Sequence, residues 1–132
     1  MIEGIEHIGI AVKDVENTLK LYASIFGLKP EEITILEDYG LKVGSIQIGD
    51  TKLEFLESIR KDTPIAKFIE KRGQGIHHVC FQVDDIEKTL KRLAQDGIEL
   101  VDKKPKPGAR GDKIAFIHPR STSGILIELC EV

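Results

Sequence analysis

The sequence predicts an α+β fold of two tandem βαβββ modules, and two observations carry that prediction. The first is an internal repeat. Residues 4–20, Gly-Ile-Glu-His-Ile-Gly-Ile-Ala-Val-Lys-Asp-Val-Glu-Asn-Thr-Leu-Lys, reappear as 75–91, Gly-Ile-His-His-Val-Cys-Phe-Gln-Val-Asp-Asp-Ile-Glu-Lys-Thr-Leu-Lys. About half the paired positions are identical, and three more exchange one apolar residue for another: Ile8 for Val79, Ile10 for Phe81 and Val15 for Ile86. Repetition on this scale marks two copies of one supersecondary unit, expected to be related by a pseudo-twofold axis. The second observation is the change of hydrophobic period inside each copy, from strand alternation to a helical pattern and back to short alternating runs.

The elements follow in order. Residues 4–12 alternate as a strand. Asp14 caps a helix whose apolar positions are Val15, Leu19, Tyr22 and Phe26, and Gly27 supplies a left-handed stop. Three shorter strands are predicted near 32–38, 41–48 and 51–57, the last two divided by the Gly49-Asp50 turn. Thr63-Pro64 opens a linking helix to about Arg72, with a capping residue followed by Pro at the first helical position. The second module then repeats the scheme, with a strand at 75–83 and a helix from Asp85 to Asp96, stopped by Gly97. Its remaining strands are predicted near 98–102, 113–118 and 124–131. Lys103-Lys104-Pro105-Lys106-Pro107-Gly108-Ala109-Arg110-Gly111 reads as a loop too rich in Pro and Gly for regular structure. The chain is expected to form one domain over 1–132, with module one at about 4–57, a linker helix at about 63–72 and module two at about 75–131.

The chain has 132 residues, enough for one domain with its own core. Its 22 acidic and 19 basic side chains give a net charge of −3, which argues against a nucleic-acid-binding surface. No apolar run approaches a membrane span, and the start does not read as a signal peptide. Cys80 and Cys130 sit in apolar strand patterns and read as packed, reduced thiols of a cytoplasmic protein.

Alternation assigns faces. In the first strand Ile8, Ile10 and Val12 point to the helix, and His7, Gly9 and Ala11 point away. In its counterpart Val79, Phe81 and Val83 face the helix, and His78, Cys80 and Gln82 oppose them. Only His78 has a histidine counterpart in the first copy, so the adjacent His77 is assigned to packing or to supporting a ligand. The last strand of each module carries one acid flanked by apolar residues, Glu54 between Leu53 and Phe55 and Glu128 between Ile127 and Leu129. Taken singly, such residues are often core histidines or solvent-facing acids. Together, two imidazoles and two carboxylates at repeat-equivalent positions, all opposite the apolar face, point to a shared divalent metal site, because buried carboxylates need a compensating cation. With no thiolate in the set, Co²⁺, Mn²⁺, Ni²⁺, Zn²⁺ and Fe²⁺ all suit it. A six-coordinate ion would keep two positions for a chelating substrate, whereas a four-coordinate zinc would be structural.

Paired βαβββ modules with this ligand set resemble the vicinal oxygen chelate superfamily of glyoxalases, bleomycin-resistance proteins and dioxygenases. The ligands do not choose among its members, because bacterial glyoxalase I also uses His, Glu, His and Glu. The flanking sequence discriminates better. Residues 75–86, Gly-Ile-His-His-Val-Cys-Phe-Gln-Val-Asp-Asp-Ile, are similar to the motif of the methylmalonyl-CoA epimerases. So are residues 113–129, Lys-Ile-Ala-Phe-Ile-His-Pro-Arg-Ser-Thr-Ser-Gly-Ile-Leu-Ile-Glu-Leu. Glyoxalase I usually carries an Asp-Pro-Asp-Gly type turn where this chain has His118-Pro119-Arg120-Ser121-Thr122. The second ligand is Gln in some epimerases and Glu54 here. An acid proposed as a base in some members has no counterpart in Lys42-Val43-Gly44-Ser45.

The resemblance implies a glyoxalase-like fold, a curved mixed sheet around a metal-binding cleft. It implies interconversion of 2R- and 2S-methylmalonyl-CoA through an enolate. Metal ligands would be His7, Glu54, His78 and Glu128, holding one divalent ion per chain, with Co²⁺ favoured over Mn²⁺, Ni²⁺ and Zn²⁺. Glu128 is the first candidate for the base and Glu54 the candidate for the opposite face. Lys113, Arg120 and Ser121 are candidate substrate contacts, and Lys103, Lys104, Lys106 and Arg110 form a basic loop suited to a polyanion. A homodimer is expected. Lactoylglutathione lyase (glyoxalase I) and a non-catalytic metal- or ligand-binding member of the fold are the alternatives.

Overall fold

The computed structural model describes all 132 residues. It contains eight strands, three α-helices and two short 3₁₀ turns, and divides into two compact units, His7–His77 and Met1–Glu6 with His78–Val132.

The His7–His77 unit holds most of β1 (Ile2–Ala11), then α1 (Val15–Phe26), β2 (Thr34–Leu36), β3 (Leu41–Ile48), β4 (Thr51–Ser58) and α2 (Pro64–Arg72). Its strands lie in the order β2-β3-β4-β1. β1 runs parallel to β4, and the other pairs are antiparallel. The second unit contains most of β5 (Gly75–Val83), then α3 (Ile86–Gln95), β6 (Lys106–Pro107), β7 (Lys113–Ile117) and β8 (Ile127–Glu131). Its order β6-β7-β8-β5, with β5 parallel to β8, repeats the first topology. In each module the strand before the helix pairs with the last strand, a parallel pairing that requires a helical crossover.

The helix starts are built alike. Asp14 accepts from the Asn17 N–H at 3.1 Å, and Asp85 from the Lys88 N–H at 3.1 Å. A carboxylate from the far strand adds to each: Glu57 Oε1 accepts from the Val15 N–H at 2.9 Å, and Glu131 Oε1 from the Ile86 N–H at 2.9 Å. Four orphan N–H groups open every helix, and negative charge is favoured beside them. These bonds therefore tie each helix to the strand that carries a candidate ligand. Below them Val15, Leu19 and Phe55 pack in one core, and Ile86, Leu90 and Leu129 in the other. Burying each such side chain contributes about 1.5–3 kcal/mol.

One packing relation was not legible in the pattern. Ile65 of α2 packs with Ala11, Val43 and Leu56, joined by Phe68 and Ile69. By strand alternation these sheet residues share the face of His7 and Glu54. Here, then, α1 covers one face of the sheet and α2 covers part of the other.

Three predicted strands change. The one near 32–38 shortens to β2 and ends in a 3₁₀ turn at Glu37–Tyr39. The one near 98–102 does not form. Only Leu100 bridges to Ile117, and the Phe116 carbonyl accepts from both the Val101 and the Asp102 N–H, so regular pairing breaks at one oxygen. The last strand begins at Ile127, because Ser123 (φ 58°) and Gly124 (φ 86°) occupy the left-handed region and turn the chain just before it. The Pro-rich loop also contains more structure than predicted, since β6 pairs Lys106 with Ile114 and Pro107 with Lys113.

Candidate metal centre

Each unit buries one His–Glu pair, made by the same register. In the first, Gly9 of β1 lies opposite Glu54 of β4, and His7 shares the Gly9 face. His7 Nδ1 stands 3.8 Å from Glu54 Oε2. In the second, Cys80 of β5 lies opposite Glu128 of β8, which brings His78 Nε2 to 3.2 Å from Glu128 Oε1. All four residues are only 7% exposed. The two histidines lie 71 residues apart (78 − 7) and the two glutamates 74 apart (128 − 54), and the three-residue difference is absorbed in the connections and leaves this register intact.

Buried carboxylates with imidazole neighbours suit a cation of borderline character, because the oxygen and nitrogen donors give up water only for a strong compensating charge. Cys80, two positions from His78 on the same face, does not add a thiolate. A hydrogen bond with Cys130 and burial push its pKa far above the usual thiol range, so it stays protonated. Both cysteines are free and buried. The donor chemistry of each pair thus fits a divalent ion held by imidazole and carboxylate.

The neighbours of each pair add detail. Ser45 of β3 lies opposite Glu54, is buried, and donates its hydroxyl to Glu31 Oε1 at 3.0 Å. An acid thus reaches this strand from outside it, although 42–45 contains none. Phe116 of β7 lies opposite Glu128, and its ring meets His78 edge to face at a centroid distance of 6.1 Å. The Lys106 ammonium sits 5.3 Å from the same ring. His77 packs its ring edge against Phe68 of α2 at 5.1 Å, with Arg72 over the Phe68 ring. That is the packing role assigned to it.

The predicted substrate contacts do not gather in one place. Lys113 opens β7, with carboxylates of Glu87 and Glu131 each 4.0 Å away. Arg120 and Ser121 lie past the other end of β7, in the turn Pro119–Ser121. There Ser121 Oγ accepts from the Glu99 N–H at 2.9 Å, and Arg120 Nε stands 3.7 Å from Glu99 Oε1. Arg110 is exposed in the tight turn between Gly108 and Asp112.

Sequence reasoning missed Glu57 and Glu131. The signal was present as a repeated Glu-x-x-Glu, Glu54-Phe55-Leu56-Glu57 and Glu128-Leu129-Cys130-Glu131. The odd spacing sends the first acid to the ligand face and the second to the helix face.

Two βαβββ modules, each with a buried His–Glu pair between its first and last strands, define a class of metal-dependent folds. The chain belongs to the Glyoxalase/Bleomycin resistance protein/Dioxygenase superfamily, whose model matches residues 6–116. It is 36% identical over 134 residues to an ethylmalonyl-CoA/methylmalonyl-CoA epimerase of Cereibacter sphaeroides, covering 100% of both chains. A Bacillus subtilis protein named only as uncharacterized is 39% identical over 127 residues, 96% of this chain and 91% of that one. The fold matches a methylmalonyl-CoA epimerase solved in complex with methylmalonyl-CoA and NH4+, with a TM-score of 0.91 at 28% identity, over 99% of this chain and 95% of that one. No helix is long and apolar enough to cross a membrane.

Proposed function

We propose that this chain interconverts the 2R and 2S forms of methylmalonyl-CoA, taking a proton from C2 and returning one to the opposite face. The observation that carries the reading is the end-to-end similarity to an acyl-CoA epimerase in a chain that buries a His–Glu pair in both modules. His7, Glu54, His78 and Glu128 would together hold one divalent ion. When bound, the ion would supply positive charge to stabilise the enolate as its oxygen gains charge.

The protein's own residues have two tasks. The C2 proton is only weakly acidic beside a thioester, so its acceptor must be fixed within hydrogen-bond reach. Glu128 would be that acceptor. Its carboxylate takes the proton while the C–H electron pair moves into the enolate, and Glu54 delivers a proton to the other face. His7 and His78 hold the carboxylates in place. The Phe116 ring beside His78 limits where water and substrate can stand.

Three finer statements belong to the same reading. Co²⁺ is the favoured ion, with Mn²⁺, Ni²⁺ and Zn²⁺ as alternatives. The chain works in the cytoplasm, which agrees with two neighbouring thiols left unbonded. It works as a homodimer, for which Leu21, Ile25 and Phe26 exposed on α1 offer apolar surface.

The test is proton NMR of 2S-methylmalonyl-CoA in D₂O with metal-loaded protein and a chelator-treated control. Fast, metal-dependent loss of the C2 signal is expected. No exchange by fully loaded protein would overturn the reading and direct the search to a glutathione hemithioacetal.

A further inference from the structure

In the His7–His77 unit, the face of the sheet that carries Glu54 also carries a positive charge that the chemistry above leaves unused. Lys52 stands two residues before Glu54 on β4, and alternation puts both side chains on one side of the sheet. The register agrees. His7 of β1 is paired with Lys52 and Gly9 with Glu54, while on β3 Gln47 lies opposite Lys52 and Ser45 opposite Glu54. Among the strand side chains of this unit on that face, Lys52 is the only lysine or arginine.

Its neighbours leave the ammonium open to a ligand. Gln47 turns away and donates its side-chain amide to the Gly49 carbonyl at 2.8 Å. The ion-pair partner of Lys52 is Glu31, whose Oε1 lies 3.8 Å from Lys52 Nζ, beyond direct hydrogen-bond reach. Glu31 is held from its own side. Its N–H donates to the Ser45 carbonyl at 2.8 Å, and its Oε1 accepts from the Ser45 hydroxyl at 3.0 Å. The Lys52 side chain is 29% exposed and the Glu31 side chain 46%, so water screens the pair and it holds its members weakly. A carboxylate that meets the ammonium directly forms the shorter, stronger contact and outcompetes Glu31.

The placement defines the ligand. A carboxylate taken by Lys52 lies on the side of the sheet that carries Glu54, so the atoms bonded to it are presented to that face. The substrate proposed above has such a carboxylate on the carbon that loses its proton. Holding it limits rotation at C2 and keeps positive charge beside the enolate as it forms. An acyl thioester without that carboxylate offers Lys52 nothing.

We infer that Lys52 selects 2-carboxyacyl thioesters by hydrogen-bonding their free carboxylate in exchange for Glu31. The inference rests on the acyl-CoA reading above, and the experiment separates the two. Racemic methylmalonyl-CoA and propionyl-CoA differ only in the carboxylate, and each is titrated into metal-loaded, full-length protein by calorimetry. The wild type should prefer methylmalonyl-CoA. Lys52→Met should cut the ratio of the two affinities about tenfold and leave propionyl-CoA binding within about twofold, because one charge-assisted contact is lost. Lys52→Arg should restore most of the preference. Glu31→Gln keeps an acceptor for Ser45 and removes the competing charge, so it should raise the ratio about two- to threefold. Melting and metal content are read for each variant, and if Lys52→Met fails to fold or to hold metal, Glu31→Gln decides. A wild type without the preference, an unchanged ratio in Lys52→Met, or a ratio that does not rise in Glu31→Gln would overturn the assignment. If C2 exchange by the wild type accompanies such a result, the epimerase reading stands and only the role of Lys52 falls. A Lys52-dependent preference with no C2 exchange would keep Lys52 as the carboxylate contact and overturn only the epimerase reading.

Discussion

The bond from Glu131 to the first turn of α3 gives a quantitative test of how this architecture is held. Ile86 is fully buried, and its N–H donates to Glu131 Oε1 at 2.9 Å. Glu131→Ala would leave that N–H without its acceptor where water does not reach, and would remove negative charge from the helix start. A hydrogen bond to a charged group contributes about 1.5–3 kcal/mol. The Glu131 side chain is 29% exposed, and Asp85 still caps the next turn, so the low end applies, about 1.5–2 kcal/mol. For a chain of this size each kcal/mol moves Tm by roughly 3–4 °C, giving a fall of about 5–7 °C. Glu131→Gln keeps an acceptor and loses only the charge, so it should cost about 0.5 kcal/mol. Glu57→Ala should match Glu131→Ala, because Val15 is equally buried and its bond is the same length. The double variant should be additive within about 0.5 kcal/mol, since each bond lies inside its own unit. Urea titration and thermal melting read all four. A Glu131→Ala protein that melts within about 1 °C of wild type would refute the reasoning, as would a Gln variant as unstable as the Ala variant.

Gly44→Ala should destabilise by about 1–3 kcal/mol in the same assays, because the new Cβ would lie 2.6 Å from Leu19 Cδ1 and 2.7 Å from Val15 Cγ1, both in the packed core. Glu128→Gln should abolish C2 exchange even with metal restored; retained exchange in the NMR assay would exclude Glu128 as the proton acceptor. Cys80 is fully buried and its thiol is held protonated by Cys130 and by burial, so iodoacetamide at pH 8 should leave it unmodified in the native protein and label it after denaturation, as read by mass spectrometry. Burial raises the Asp112 pKa, so the fold favours its protonated form and loses stability as pH rises through the carboxylate range. Asp112→Asn should therefore be slightly stabilising at neutral pH, by no more than about 0.5 kcal/mol in this partly solvated position, with the gain vanishing once the carboxyl is protonated in acid.

The parts of this protein readable from sequence are those set by neighbours along the chain. Asp14 and Asp85 cap helices through N–H groups three residues away, so the sequence around them contains the whole interaction. Strand alternation likewise placed His7, Glu54, His78 and Glu128 opposite the apolar face, because side-chain direction on a strand depends only on parity. The internal repeat paired these residues before any fold was known, and each His–Glu pair shares the register that the repeat implies.

Tertiary structure decided what depends on distant partners. Glu57 and Glu131 reach N–H groups 42 and 45 residues away; the repeated Glu-x-x-Glu assigns them a face but does not name the groups they meet. The 98–102 segment has strand-like composition, yet two N–H groups converge on the Phe116 carbonyl and regular pairing is lost. The Pro-rich loop reads as irregular until β6 pairs with β7 and sets its lysines around a groove with α3. Helix α2 covers part of the His7 and Glu54 face through Ile65, which its own amphipathic pattern could not assign. The amino-acid order by itself determined the repeated module, the helix caps and the ligand-type residues, because these rest on spacing. The choice of partners across 40 residues or more, and with it the groove, rests on which surfaces meet when the chain condenses, and that is set by packing rather than by sequence period.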